Sequence, residues 1–147
     1  MPSVSHTLEH DAGAERAFAA FADLGAWWPA EYSWAGDVLE EIGIEPREGG
    51  HCYELGPHGF RCDWGRVTAW EPPRRLVFTW QIGPQREPSP DPARASEVEV
   101  RFDAASVTLE HRGFERHGPD AENYRAALAS EHGWPYILGR YAASLGA

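Results

Sequence analysis

The sequence contains no lysine: all 13 of its basic residues are arginine. A chain without lysine cannot form a lysine Schiff base, which excludes pyridoxal-phosphate enzymes and Schiff-base aldolases. It also cannot complete a phosphate-binding loop that ends in Gly-Lys-Ser or Gly-Lys-Thr. The 23 acidic residues give a formal net charge of −10, which argues against a nucleic-acid binder, because such proteins carry a basic patch.

Cysteine, long apolar runs and an apolar leader are also scarce or missing. Two cysteines are too few for a disulfide-stapled scaffold. No apolar stretch approaches the roughly 18 residues of a membrane span, and residues 1–10 lack the basic flank and apolar centre of a secretory signal. We therefore expect a soluble cytoplasmic protein without membrane or nucleic-acid partners.

Aromatic residues, in contrast, are abundant: the chain has seven Trp, five Tyr and six Phe. Near the start, residues 4–10 alternate between apolar and polar and predict a strand. Ala14–Leu24 then has helical spacing, with Asp11 in position to cap the helix. Ala26–Trp28 is predicted as a short second helix, because Pro29 follows it.

Strand-like segments separated by turn residues follow. The short connections between them predict an antiparallel meander. The long connection Gly83–Ala95, which holds four prolines, is typical of a mobile or functional loop. The six predicted strands are Val38–Glu45, Gly50–Leu55, Phe60–Trp70, Arg75–Ile82, Ser96–Asp103 and Ser106–Arg112.

Two helical segments are predicted at the end, Tyr124–His132 and Trp134–Leu145, with a break at Gly133. Bulky residues take even positions in two successive strands and odd positions in the last strand, which predicts one apolar concave face opposite the final helix. We therefore predict one α+β domain over residues 1–147. It has a curved, seven-stranded antiparallel sheet wrapped on a long C-terminal helix, with two short helices after strand 1.

A series of short motifs spans nearly the whole chain: Ala17-Phe18, Trp27-Trp28-Pro29, Glu45-Pro46-Arg47, Gly49-Gly50, Trp64-Gly65-Arg66-Val67, Glu71–Trp80, His111-Arg112-Gly113-Phe114, Gly133-Trp134 and Leu138. In content and order they resemble the activator-homologue family of the heat-shock-protein-90 ATPase. That family belongs to the START-like (SRPBCC) helix-grip superfamily. The resemblance therefore implies a curved sheet that grips the last helix and leaves a cavity between them.

Within that family, the chain resembles the self-sacrifice resistance proteins of enediyne producers. The resemblance lies in Trp27-Trp28-Pro29, Gly133-Trp134-Pro135 and Phe114-Glu115-Arg116. Such proteins hold the drug in the cavity and are cleaved by it. The loop after Trp80 corresponds to the cleaved region, and the resemblance marks Gly83 as the glycine nearest the scission site.

The aromatic residues fit either a packed core or the walls of a cavity. Core packing is the ordinary role of a single aromatic residue. So many indoles, each with an N–H group that needs a partner, favour a cavity for a planar apolar ligand. The predicted ligand-binding residues are Trp28, Trp64, Phe78, Trp80, Gly83, Phe102, His111, Phe114, Trp134, Leu138 and Tyr141.

Histidines and cysteines offer other chemistry. The seven histidines lack metal-binding helix spacing, so we expect no metal and no cofactor. Strand parity points His111 toward the cavity, as a polar ligand contact or a general base. A three-residue turn at Gly56–His58 would place Cys52 directly opposite Cys62, and in the cytoplasm we expect reduced thiols rather than a disulfide.

Three classes of function stay open. The first is non-catalytic binding of an apolar, polyketide- or enediyne-like molecule, in self-resistance or biosynthesis. The second is a cyclase or dehydratase that acts on polyketide-like substrates, and the third is a co-chaperone-like domain that regulates an ATPase. We favour the first, because His111 is the sole polar candidate that the sequence places in the cavity. The expected partner is an apolar small molecule, and the expected assembly is a monomer or a homodimer.

Overall fold

Seven β-strands form one antiparallel sheet in the computed structural model, which describes residues 2–146. The strands are β1 (Val4–Glu9), β2 (Glu41–Ile44), β3 (His51–Leu55), β4 (Arg61–Glu71), β5 (Arg75–Trp80), β6 (Ser96–Phe102) and β7 (Ser106–Arg112). Their order across the sheet is β1-β7-β6-β5-β4-β3-β2. The strands from β2 to β7 therefore follow the chain and β1 pairs with β7, which confirms the predicted meander.

Three α-helices, α1 (Ala14–Ala22), α2 (Ala121–Ala129) and α3 (Trp134–Leu145), lie outside the sheet in the described range. The predicted short second helix occurs two residues earlier, as a 3₁₀ helix over Leu24–Ala26. The predicted cap of α1 is wrong: Gly13, with φ of 86°, precedes the helix, and no side chain caps it. An α+β helix-grip fold is therefore confirmed, with different details at the helix ends.

The C-terminal helix is bent between α2 and α3, as the break at Gly133 predicts. A Cβ atom at Gly133 would lie 2.2 Å from the carbonyl oxygen of Leu128, so the close approach of the chain at the bend requires glycine. Pro135 sits in the first turn of α3, where its missing N–H group costs no hydrogen bond. The helix α2 begins at Ala121, three residues before the predicted start.

The sheet turns the predicted apolar positions toward α3. Trp80 at the end of β5 packs on Trp134 at the start of α3, with ring centroids 5.3 Å apart. Ile82, the last predicted member of the concave face in the β5 segment, lies beyond the end of β5 and is only partly buried. The other predicted members are buried: Leu76, Phe78, Trp80, Val98, Val100, Phe102, Val107, Leu109 and His111. The two-residue period of the strands therefore gives the core face correctly.

The hairpin between β3 and β4 has a different turn from the predicted one. Leu55 pairs with Arg61, so the connection is Gly56–Phe60 rather than Gly56–His58. His58 adopts a positive φ of 61°, a conformation that non-glycine residues seldom take. The turn is therefore wider than alternation alone predicts.

The wider turn also changes the surroundings of the two cysteines. A β-bulge between Cys52 and Tyr53 shifts the register further. Cys52 consequently pairs with Gly65, and Cys62 pairs with Glu54. The prediction that the two cysteines face each other is wrong, and both thiols are free.

Candidate functional site

A cavity of about 500 Å³ opens at one end of the molecule, among the end of β5, α2 and the start of α3. We call it the main cavity because of its aromatic lining; a cleft of about 720 Å³ beside Arg74 and Arg101 is larger but is lined mostly by charged side chains. Its volume lies within the range of small-molecule pockets, about 300–1,000 Å³. It is lined by Trp28, Tyr32, Trp80, Ile82, Pro84, Arg86, Tyr124, Ala127, Leu128, Ser130, His132, Gly133 and Ile137.

Two indoles form adjoining walls of the main cavity. The rings of Trp28 and Trp80 lie 6.4 Å apart between centroids and are inclined by 48°. Behind them, Trp64 stacks on Trp28 with centroids 5.7 Å apart and an interplanar angle of 26°. Trp64 is buried, which supports Trp28 from the core side while one part of Trp28 stays accessible from the cavity.

The neighbouring residues Trp27 and Trp28 are in contact, with ring centroids 5.7 Å apart, but they face different parts of the core. The indole N–H of Trp27 donates to the carbonyl oxygen of Ala20 at 3.0 Å, and its ring packs on Phe21. Trp28, one residue later, turns to the main cavity. The 3₁₀ helix before this pair, Leu24–Ala26, positions both, because the amide groups of Trp27 and Trp28 donate to the carbonyl oxygen of Leu24.

Tyr124 of α2 fixes the Trp80 wall. The indole N–H of Trp80 donates to the Tyr124 hydroxyl at 2.7 Å, and that hydroxyl donates to the carbonyl oxygen of Ile82 at 2.8 Å. Burial raises the pKa of the Tyr124 phenol above its ordinary value. The phenol is therefore neutral at physiological pH, and both of its hydrogen bonds hold the wall in place.

The rim of the main cavity joins the proline-rich loop to the segment after Trp28. The indole N–H of Trp34 donates to the carbonyl oxygen of Arg86 at 2.7 Å. Arg86 donates through Nη2 to the carbonyl oxygen of Tyr32 at 2.8 Å. The Tyr32 hydroxyl then donates to the carbonyl oxygen of His132 at 2.9 Å, so the rim is tied to the bend between α2 and α3.

A buried chain of hydrogen bonds lies behind Trp80. Trp134 donates through Nε1 to Nδ1 of His111 at 3.0 Å. An indole only donates, so Nδ1 of a neutral His111 accepts and its Nε2 carries the proton. That nitrogen lies 2.6 Å from the hydroxyl of Ser96, which lies 2.6 Å from Nε2 of His117. We call these four residues the buried relay.

Burial sets the charge of the relay. Desolvation, followed by the effect of His117, lowers the pKa of His111 well below its usual 6.5. Desolvation also lowers the pKa of His117, although the carboxylate of Glu87 opposes that shift. Both imidazoles are therefore neutral at pH 7. This matches the donor and acceptor roles that the hydrogen bonds require.

The structure places the predicted ligand-binding residues in three groups. Trp28 and Trp80 line the main cavity. Gly83 lines a neighbouring, smaller cleft of about 240 Å³. The other predicted residues are buried in the core: Trp64, Phe78, Phe102, His111, Phe114, Trp134, Leu138 and Tyr141.

The buried group is itself divided. His111 lies behind the cavity wall, with its ring 5.4 Å from that of Trp80. Phe102 and Tyr141 instead pack around Phe21, at centroid distances of 5.7 and 5.2 Å. The strand and helix positions of Phe102 and Tyr141 indicate the core face correctly, but they do not show which end of that face is open.

Several lining residues are missing from the sequence prediction. Tyr124 and Leu128 stand four residues apart on α2, a spacing that could have marked one helix face. Arg86 lies in the proline-rich loop Gly83–Ala95, predicted to be mobile or functional, but no local pattern distinguishes it from Arg94. Tyr32 and His132 come together only through the fold.

The two cysteine thiols are unreactive, and the described residues provide no metal-binding group. Burial raises the pKa of Cys62 to about 11 and that of Cys52 further, so both thiols are protonated at pH 7. Among residues 2–146, no three His, Cys, Asp or Glu side chains are grouped so that they could hold a metal ion. In the same range, no helix has the length and apolarity needed to cross a membrane.

Comparison with known proteins places this geometry in a family. A solved structure with 34% sequence identity and a TM-score of 0.66 is an anthrahydroquino-gamma-pyrone synthase, Txn09, in complex with SUM; the match covers 97% of this chain and 96% of that one. The self-sacrificing resistance protein CalC from Micromonospora echinospora shares the fold at 23% identity and a TM-score of 0.64, over 98% and 94% of the two chains. The Aha1 dimer from Colwellia psychrerythraea does so at 15% identity and 0.63, over 99% and 96%.

No curated protein gave a significant match in the sequence comparison. The profile of the family described as "Activator of Hsp90 ATPase homolog 1-like protein" matches residues 11–146. The match covers six of the seven strands and all three helices, and it confirms the family that the motifs indicate. The chain therefore belongs to the Activator of Hsp90 ATPase homolog 1-like protein family.

Proposed function

We propose that the protein binds a planar, fused-ring compound of the aromatic polyketide class in the main cavity. Its role would be in the biosynthesis of such a compound or in self-protection against it. The observation that carries the proposal is the pair of indoles, Trp28 and Trp80, in the wall of an apolar cavity that opens to solvent. Flat aromatic rings stack well on indoles and displace water from such a surface.

The opposite wall supports the same class of ligand. Leu128 of α2 and Ile137 of α3 offer aliphatic surface to the main cavity. A flat ligand between this wall and the indoles would bury apolar surface on both faces. Arg86 and the Tyr32 segment stand at the rim, where a polar edge of the ligand would remain.

The comparisons support this ligand class to different degrees. The structure that shares 34% identity belongs to a synthase whose name describes a fused aromatic pyrone. The self-sacrificing resistance protein shares only the fold. The sequence identity therefore favours a fused-ring aromatic compound over an enediyne.

A ring-closing synthase is the second candidate, and the identity to Txn09 is the observation that favours it. Such an enzyme would hold the reacting parts of a flexible precursor together. The polar groups at the Trp80 wall are already engaged: the Tyr124 hydroxyl accepts one hydrogen bond and donates another, and both ring nitrogens of His111 are bonded. These engagements favour binding as the first activity to test.

Isothermal titration with 1,8-dihydroxyanthraquinone tests the proposal. The wild-type protein should bind one molecule, and Trp28→Ala should weaken binding by about tenfold because a stacking face is lost. Trp70→Ala is the matched control, since Trp70 is also partly buried but packs on Phe18. Absence of binding, or equal weakening by both substitutions, would contradict the proposal.

The synthase is distinguished by its product. An anthraquinone that carries an uncyclised side chain is incubated with the protein, and the mixture is analysed by chromatography. If the protein only binds, the compound should elute unchanged. Conversion to a compound with a new oxygen-containing ring, faster than without the protein, would select the synthase instead.

A further inference from the structure

Arg86 occupies an unusual position at the rim of the main cavity. Its φ of 64° lies in the left-handed region, which is strained for a residue other than glycine. Its backbone is held there from both sides: the amide donates to the carbonyl oxygen of Gly83 at 2.8 Å, and the carbonyl accepts from the Trp34 indole at 2.7 Å. The fold therefore fixes an arginine where glycine would be less strained.

The guanidinium is positioned but only partly used. It donates one hydrogen bond, to the carbonyl oxygen of Tyr32, and its Cζ lies 5.7 Å from the centroid of the Tyr32 ring. An arginine has five N–H donors. In the part of the chain that the structure describes, Arg86 makes no ion pair, whereas Arg75 and Arg112 each pair with carboxylates. Most of its donors are thus available to a ligand.

The charges around the main cavity differ from those of the whole chain. The protein has 23 Asp and Glu residues and a net charge of −10. None of the carboxylates in residues 2–146 is among the cavity-lining groups, whereas Arg86 is. The carboxylate of the next residue, Glu87, lines the neighbouring cleft rather than the main cavity. It accepts from the backbone amide of Gln85 at 2.8 Å, and it is near enough to Tyr124 to contribute to the raised pKa of that phenol.

From these observations we infer that Arg86 selects ligands with an ionised oxygen, a carboxylate or a phenolate, at one edge of the aromatic ring system. The inference rests on the proposed function, since it names the ligand class for the same cavity. A guanidinium forms strong, charge-assisted hydrogen bonds with such oxygens. Arg86 is exposed at the rim, so solvent and salt screen part of the charge attraction, and the paired N–H donors of the guanidinium carry the selection.

Two probes of nearly the same shape separate charge recognition from stacking. Anthraquinone-2-carboxylate is ionised at neutral pH, and anthraquinone-2-carboxamide is its neutral counterpart. Each is titrated calorimetrically into the wild-type protein, Arg86→Gln, Arg86→Lys and Arg94→Gln. Arg94 is the matched control, because it is exposed on the same loop but lines the neighbouring cleft.

The wild-type protein should bind the carboxylate about tenfold more tightly than the carboxamide. Arg86→Gln should weaken binding of the carboxylate about tenfold more than binding of the carboxamide and so remove the preference, Arg86→Lys should keep part of it, and Arg94→Gln should change neither affinity. Unchanged preference in Arg86→Gln, or equal loss for both probes, would overturn the role of Arg86 while the proposed function stands. Absence of binding of both probes to the wild-type protein would overturn both proposals.

Discussion

The two ends of the core are built from the same residue types but pack differently. At the closed end, Phe18 and Phe21 of α1 fill the space between the sheet and α3, together with Trp27, Phe102 and Tyr141. At the open end, Trp28, Tyr32, Trp80 and Tyr124 surround the main cavity.

The difference lies in what covers each end. An α-helix with inward-facing phenylalanines plugs the closed end, and the Tyr141 hydroxyl of α3 donates to the carbonyl oxygen of Ala17 in that helix at 2.6 Å. The open end is covered by 3₁₀ turns and the proline-rich loop, whose contacts run along the rim. Abundant aromatic residues therefore do not by themselves indicate a pocket. Whether they form a closed core or an open cavity depends on the element that covers them.

The largest contrast should appear in stability. Phe21→Ala at the closed end should lower the free energy of unfolding by about 3–5 kcal/mol, because it leaves a void among close-packed rings. Leu128→Ala at the open end should cost about 1 kcal/mol, since this side chain already borders the main cavity. Urea denaturation measures both, and equal losses would show that the two ends pack alike.

A pH dependence should arise from the buried relay behind the open end. The folded protein lowers the pKa values of His111 and His117, whereas the unfolded chain binds protons near 6.5. The stabilising contribution is therefore complete above about pH 7 and is lost progressively as the pH falls below the unfolded-state pKa of about 6.5.

The measurement is a set of urea denaturation curves between about pH 7 and pH 5. His117→Gln removes one of the titrating groups and should give a shallower dependence than the wild-type protein. A free energy of unfolding that stays constant over this range would contradict the neutral, buried state of the relay.

The hydrogen bond between Trp134 and His111 at the open end can be measured by comparison with Trp64, a second buried indole. Trp134 donates to His111, whereas the indole N–H of Trp64 is buried without a partner in the described residues. Both Trp→Phe substitutions remove the same volume, but Trp134→Phe also leaves Nδ1 of His111 unpaired. It should therefore cost about 1–2 kcal/mol more than Trp64→Phe. Equal costs in urea denaturation would show that this hydrogen bond contributes nothing.

The smallest effect should come from the outer face of the sheet, away from both ends. Burial raises the pKa of Glu99, but hydrogen bonds from Arg75 and Arg112 outweigh it and bring the pKa to about 2. The resulting stability is present above about pH 4.5 and is lost as the pH falls toward 2. Glu99→Gln should cost about 1 kcal/mol at pH 7, since both arginines are partly exposed and screened by solvent.

The Glu99→Gln variant also serves as a control for the comparison of the two ends of the core. Glu99→Gln should leave the affinity for 1,8-dihydroxyanthraquinone unchanged, because the residue lies on the other face of the sheet from the main cavity. A change in ligand affinity, or a loss of stability that persists at pH 2, would contradict it.

Local patterns predicted the strands and the core face because each depends on neighbours in sequence. The even positions of β5, from Leu76 to Trp80, are buried as the two-residue period requires. The prediction that Cys52 faces Cys62 is wrong because a β-bulge and the left-handed conformation of His58 lengthen the hairpin. Neither feature has a clear signal in this sequence.

The candidate site was predicted only in part. The aromatic surplus indicated a cavity, but the sequence could not show that Trp27 faces α1 while Trp28 faces the cavity. That division follows from a 3₁₀ turn whose orientation depends on the packing of α1. Arg86 and Tyr32 meet through contacts between residues more than 50 positions apart, which no local pattern encodes.

The division of the aromatic residues is tested most directly by two-dimensional ¹H–¹⁵N NMR of the tryptophan indole groups during titration with 1,8-dihydroxyanthraquinone. Each of the seven tryptophans contributes one indole N–H signal. We predict that the signals of Trp28 and Trp80 shift most and saturate, while that of Trp70, which packs on Phe18, stays in place. Shifts at Trp27 or Trp70 without shifts at Trp28, or no shift at all at saturating ligand, would contradict the assignment of the open end as the binding site.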